Sequence, residues 1–163
     1  AIMVTNSENL ANLLSDEVER QLSQLPRESI ARPAIENNSY IAVMDSVEDM
    51  FTVMNEVAPE HLEIQLPDPM EYMSMVENAG SVFLGRYASE PLGDYVGGTN
   101  HVLPTSGTAK FSSPLGVYDF VKRISFTQFS RERLQEVAKD ITTLARTEGL
   151  EAHARAIEVR FEK

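Results

Sequence analysis

Four short apolar runs, "AIMVT" (1–5), "SYIAVMD" (39–45), "HLEIQL" (61–66) and "SVFLG" (81–85), alternate with longer segments whose apolar residues recur at helical spacing. This alternation constrains the fold more than any other feature, because strands joined through helices pair in parallel by right-handed crossovers. The order across 1–85 is β-α-β-α-β-α-β, which predicts an α/β unit: a mainly parallel sheet with flanking helices on both faces, half of a Rossmann-like domain. Thr5 and Glu8 have the spacing of a capping box, and Leu10, Leu13, Leu14, Val18, Leu22 and Leu25 fall on one helical face that Pro26 ends. A short helix over 28–36 contains Pro33. Ser46 opens a helix over 46–57, and the segment 68–80 reads as a helix stopped at Gly80.

The pattern changes after residue 85. Residues 86–113 form a long loop, 116–123 a short helix and 124–130 a strand or extended arm. An amphipathic helix over 131–150 turns Leu134, Val137, Ile141, Leu144 and Ala145 inward, and a last helix covers 151–161. The expected division is an α/β part with its loop, 1–113, and a helical C-terminal tail, 114–163, too small to hold a core of its own.

Composition removes several classes of function. A net charge of −11 with 14 Lys and Arg leaves no basic surface for a phosphate backbone, so no nucleic acid is expected. Without Cys, a metal must use His and carboxylates. No apolar run approaches the roughly 20 residues that span a bilayer, so no membrane role is expected and the chain reads as cytoplasmic. "AIMVT" is a strand with no residues leading into it. That suggests an edge cut within a longer protein, with removal of an initiator Met before Ala1 as the alternative.

All three histidines lie in polar groupings near element ends. In "APEHLE" (58–63), Glu60 and His61 are adjacent at a helix-to-strand turn; a carboxylate beside an imidazole suits proton transfer near neutrality. The same dipeptide also describes a surface Glu next to a half-buried His. In "GDYVGGTNHVLPT" (93–105), glycines allow close backbone approach while Asp94 and His101 offer an anion and an imidazole, with Asp94 a candidate oxygen ligand for zinc. An Asx-type turn with a packed His101 fits equally. The loop lacks the spacing of a dinucleotide turn or a P-loop. In "EGLEAHARA" (148–156), Glu148 and His153 flank Gly149, and a neutral imidazole in a first helical turn suits metal ligation; a solvated helix boundary is the plainer account.

Taken together and in this order, "APEHLE", "GDYVGGTNHVLPT", "FSS" and "EGLEAHARA" resemble the second half of histidinol dehydrogenase, a zinc- and NAD-dependent enzyme of histidine synthesis. The resemblance spans essentially the whole chain, from "AIMVTNSENLANLLSDEVERQLSQLPR" onward. It implies oxidation of L-histidinol through histidinal to L-histidine, each step passing a hydride to one NAD. It implies Glu60 as the residue that activates water in the second oxidation and His61 as the base for the alcohol. Asp94 and His153 match zinc ligands, and His61, Asp94, His101, Glu148 and His153 match residues around the substrate.

In the family the C-terminal segment crosses a dimer, so Glu148 and His153 are expected at a partner's site in a homodimer. The other two zinc ligands, from a "QAEH"-type motif, and most of the NAD region have no counterpart in this sequence. The isolated chain is therefore expected to be inactive. A non-catalytic ligand-binding or interaction module is the alternative.

Overall fold

The computed structural model describes residues 1–162. They divide into two compact units, Ala1–Val121 and Lys122 onward. In the first unit β1 (Ile2–Thr5) leads through α1 (Glu8–Leu22) and α2 (Glu28–Asn38) to β2 (Tyr40–Val43). Next come α3 (Val47–Val57), β3 (His61–Ile64), a 3₁₀ turn (Pro69–Met75), β4 (Ser81–Leu84) and α4 (Glu90–Tyr95). The α/β alternation and parallel pairing are present. The sheet is divided, however: among the described residues β1 pairs only with β2, from Ile2 opposite Tyr40 to Thr5 opposite Val43, and β3 only with β4, from His61 opposite Ser81 to Ile64 opposite Leu84.

The core lies under α3. Phe51 of α3 and Leu62 and Ile64 of β3 are buried together, with Met54, Tyr72, Met75 and Val82 packed around them. Phe51 stacks on Tyr72 at 5.9 Å between ring centres. Alternation along β3 and β4 sends Leu62, Ile64, Val82 and Leu84 to this face and His61, Glu63, Ser81 and Phe83 to the other. That second face carries the candidate site residue His61.

Local chemistry sets the boundaries, in places differently from the sequence pattern. The N-cap of α1 is Ser7, whose hydroxyl accepts from Leu10 N at 3.2 Å, while Thr5 Oγ1 accepts from Ser7 N at 3.1 Å. Of the stripe on α1, Leu22 is buried but Leu10, Leu13 and Leu25 are exposed. Strand β2, from the apolar run 39–45, exposes Tyr40, Ile41 and Val43. Ser46 caps α3 by accepting from Asp49 N at 3.0 Å.

The helix expected to reach Gly80 stops at Met75 as a 3₁₀ turn. Asn55 is the reason: its amide donates to Met75 O at 2.9 Å, and its Oδ1 accepts from Glu77 N at 2.9 Å and Asn78 N at 3.2 Å. Those backbone groups would otherwise serve the next helical turn, so the chain leaves the turn extended and enters β4. Residues 86–113, expected as an unbroken loop, contain α4 and a 3₁₀ turn at Thr108–Lys110.

Between residues 113 and 131 the chain forms a 3₁₀ turn at Val117–Phe120 but no strand. In the second unit α5 (Arg131–Thr147) packs on α6 (Glu151–Glu158). Ala145 and Ala154 are buried, and Gly149 takes φ 75° at the turn between the helices. Leu144, expected inward, is exposed. Arg146 bridges Glu151 at 2.8 Å and Glu158 at 2.9 Å across the helix pair. No helix among the described residues is long and apolar enough to cross a membrane.

Candidate active site

The site begins at the end of α3. Ala58, wholly buried, adopts the left-handed conformation (φ 49°, ψ 63°) and its N–H caps Met54 O. This reverses the chain so that Pro59 and Glu60 lead straight into β3. The Glu60 backbone is fixed by its neighbour strand: Ser81 N donates to Glu60 O and Gly80 N to Pro59 O, both at 2.9 Å. Gly80 is required there. A Cβ at that position would lie 2.5 Å from Glu60 O and 3.2 Å from Pro104 Cδ. The same close approach brings buried Pro104, and with it "NHVLPT", against the Glu60 turn.

His61, half-buried, is the first residue of β3 and lies 6.1 Å from the Phe83 ring centre to centre. Helix α4 is placed over this face by two contacts. Glu63, two residues on from His61 and on its face, accepts from Glu90 N at 3.1 Å and so satisfies a free donor at the helix start. Gly93 rests on Phe83; a Cβ would be 2.8 Å from two ring carbons.

Glu90 and Asp94, four residues apart and on one side of α4, therefore meet His61. One ligand-capable atom from each of His61, Glu90 and Asp94 lies within 4.8 Å of the other two. The Glu90 carboxyl is held above the usual carboxylate range, first by a hydrogen bond shared with Asp94, then by desolvation and the Asp94 charge. His61 acts in the opposite direction. Two carboxylates so close favour a proton or cation between them. An imidazole nitrogen with carboxylate oxygens is a donor set that suits zinc.

The other candidates are placed differently. His101 is exposed, on a stretch fixed by Asn100, whose Nδ2 donates to Leu115 O at 2.6 Å and whose Oδ1 accepts from Val102 N at 2.8 Å. Glu148 caps the end of α5 and His153 lies in the first turn of α6; both are exposed on the second unit. Neither belongs to the metal-capable group among the described residues.

Glu90 and Glu63 were not among the sequence candidates. The signal was available: "SEPLGD" carries Ser89 before a Glu-Pro helix start, with Glu90 and Asp94 at i, i+4. A segment read as an unbroken loop hides that spacing.

Comparison with known proteins places the chain in a family. The family model described as histidinol dehydrogenase matches residues 1–161. The histidinol dehydrogenase of Lactiplantibacillus plantarum is 63% identical over 161 residues, which is 99% of this chain and 38% of that protein. That of Streptococcus mutans is 60% identical over 163 residues, all of this chain and 38% of that protein. Among solved structures, histidinol dehydrogenase from Elizabethkingia anophelis superposes with a TM-score of 0.78 at 39% identity, covering 99% of this chain and 37% of that one. The chain thus spans less than two-fifths of the length of these relatives, and with a match along nearly all of its own length it belongs to the histidinol dehydrogenase family.

Proposed function

We propose that this chain supplies the acid–base half of a histidinol dehydrogenase, which when complete oxidises L-histidinol through histidinal to L-histidine with zinc and NAD. The observation that carries the proposal is the convergence of His61 from β3 with Glu90 and Asp94 from α4 on one face, immediately after Glu60.

In this reading His61 removes the proton of the substrate alcohol. It starts β3 and stands 6.1 Å from the Phe83 ring, centre to centre, on the face that α4 covers. Glu60 activates the water consumed in the second oxidation, and its backbone is fixed by Ser81 N. Asp94 is a zinc ligand, with His153 a second from a partner copy. His101 and Glu148 contact the substrate, the latter as a counter-charge for its ammonium or imidazole. Zinc held there would supply a fixed positive charge that orients the substrate and stabilises developing negative charge. Most of the NAD site is assigned to the part of the family's polypeptide outside the match, since no Gly-rich nucleotide turn occurs in this sequence.

A homodimer in which the second unit serves the neighbouring site accords with the exposed apolar side chains of the connecting segment, Phe120, Ile124 and Phe126 among them. The test is to co-express this chain with the part of the L. plantarum relative that it does not match, and to follow NADH formation from histidinol with added zinc. Turnover by the pair supports the assignment. A stable pair with bound zinc and no turnover rejects it.

A further inference from the structure

Between the free edges of β1 and β3 lies a groove of about 920 Å³, walled by Ile2 and Val4 on one side, Leu62 and Ile64 on the other, and Leu14 and Phe51 from the helices. From this groove we infer that the first unit is built to take up one more β-strand. The strand is apolar on both faces, runs parallel to β1 and β3, and comes from the part of the family's polypeptide that this chain lacks. It would join the two half-sheets in the order β2-β1-inserted strand-β3-β4. The inference rests on family membership and topology, not on the catalytic assignments.

Three observations carry it. First, each half-sheet is parallel and each has an unpaired edge at the groove: β1 bonds only to β2 and β3 only to β4. Second, the connections have the pattern of a doubly wound sheet. The chain moves outward from β1 to β2, then returns through α3, which packs on β1, to reach β3 on the far side. In such a sheet the order is 3-2-1-4-5; β2 and β1 take the places of strands 3 and 2, β3 and β4 those of 4 and 5, and the central place is vacant. Strands in a sheet lie about 4.8 Å apart, so adjacent edges here would bond to each other directly. Third, more than half of each relative's length lies outside the match, so the family has polypeptide to supply the strand.

The walls specify the occupant's chemistry. Right-handed connections running outward and then back put α1 and α3 on opposite faces, so a strand between them is covered on both. Central parallel strands of this kind are continuous Val, Ile and Leu runs rather than alternating ones. Neither β1 nor β3 carries the Lys or Pro that commonly blunts an exposed edge. On α1, Leu10 of the apolar stripe lines the groove and is exposed, so an occupant would cover it.

Hydrogen exchange tests the inference, using the full chain alone and mixed with the unmatched part of the L. plantarum relative as probe. On mixing, the amides of Ile2–Thr5 and His61–Ile64 are expected to slow by at least about tenfold, while those of β2 and β4 change much less. Leu10→Glu, at an exposed position, should keep the circular dichroism of the parent and weaken capture of the probe by about tenfold or more. A complex that leaves β1 and β3 exchanging as before overturns the inference, as does failure of the two pieces to associate. Protection of those strands in the unmixed chain, with sedimentation as a dimer, also overturns it by assigning the groove to a second copy. Normal capture by Leu10→Glu would place the probe elsewhere.

Discussion

Gly93 and His61 have different duties at the same place. Gly93 lets α4 settle on Phe83, and an added methyl would meet the buried ring at 2.8 Å while His61 stands beside it. Overpacking of this kind costs about 1–3 kcal/mol. Gly93→Ala should lower the melting temperature by several degrees and, by lifting the turn that carries Glu90 and Asp94, weaken Co(II) binding measured by absorbance. A normal metal titration would show that α4 position does not govern the site. In the proposed reading His61 acts in the chemistry, so in the joined enzyme His61→Asn is expected to reduce kcat about 100- to 10,000-fold with a much smaller change in KM. An unchanged kcat would remove it from the proton-transfer role.

Elements end where side chains intercept their backbone, and Asn55 shows how one residue of α3 shapes the segment 75–78. Asn55→Ala removes one donated and two accepted hydrogen bonds in a partly buried setting, an expected loss of about 2–3 kcal/mol. Chemical denaturation should show it as a lower midpoint with little change in slope. The consequence for the site is indirect, since the same segment delivers Gly80 and Ser81 to the Glu60 turn. Most elements were legible from apolar spacing, with Ser46 among the clearest helix starts. The 3₁₀ turn at Pro69–Met75 was not, because its end depends on a partner twenty residues earlier in the chain.

At the scale of the whole molecule, the proposed reading gives the chain a face for acid–base work, and the sequence carries no Gly-rich nucleotide turn beside it. Purified alone it should form no NADH from histidinol even with excess zinc; turnover above the buffer rate would contradict the proposed division of labour. The net charge of −11 adds a constraint, since self-repulsion opposes close association of two such chains unless apolar contacts offset it.

What the sequence determined by itself was local or periodic: the α/β alternation, the parallel pairing it requires, the helix start at Ser46, and the adjacency of Glu60 and His61. Its motifs also carried the family resemblance. These depend on residues within a few positions of one another, where spacing translates directly into geometry. Only the tertiary structure decided that Glu90 joins His61 and Asp94, that Gly80 and Gly93 permit this, and that the sheet is open between β1 and β3. The first two follow from β3, β4 and α4 meeting face to face. The third follows from strand order, and neither is a property of any short stretch of chain.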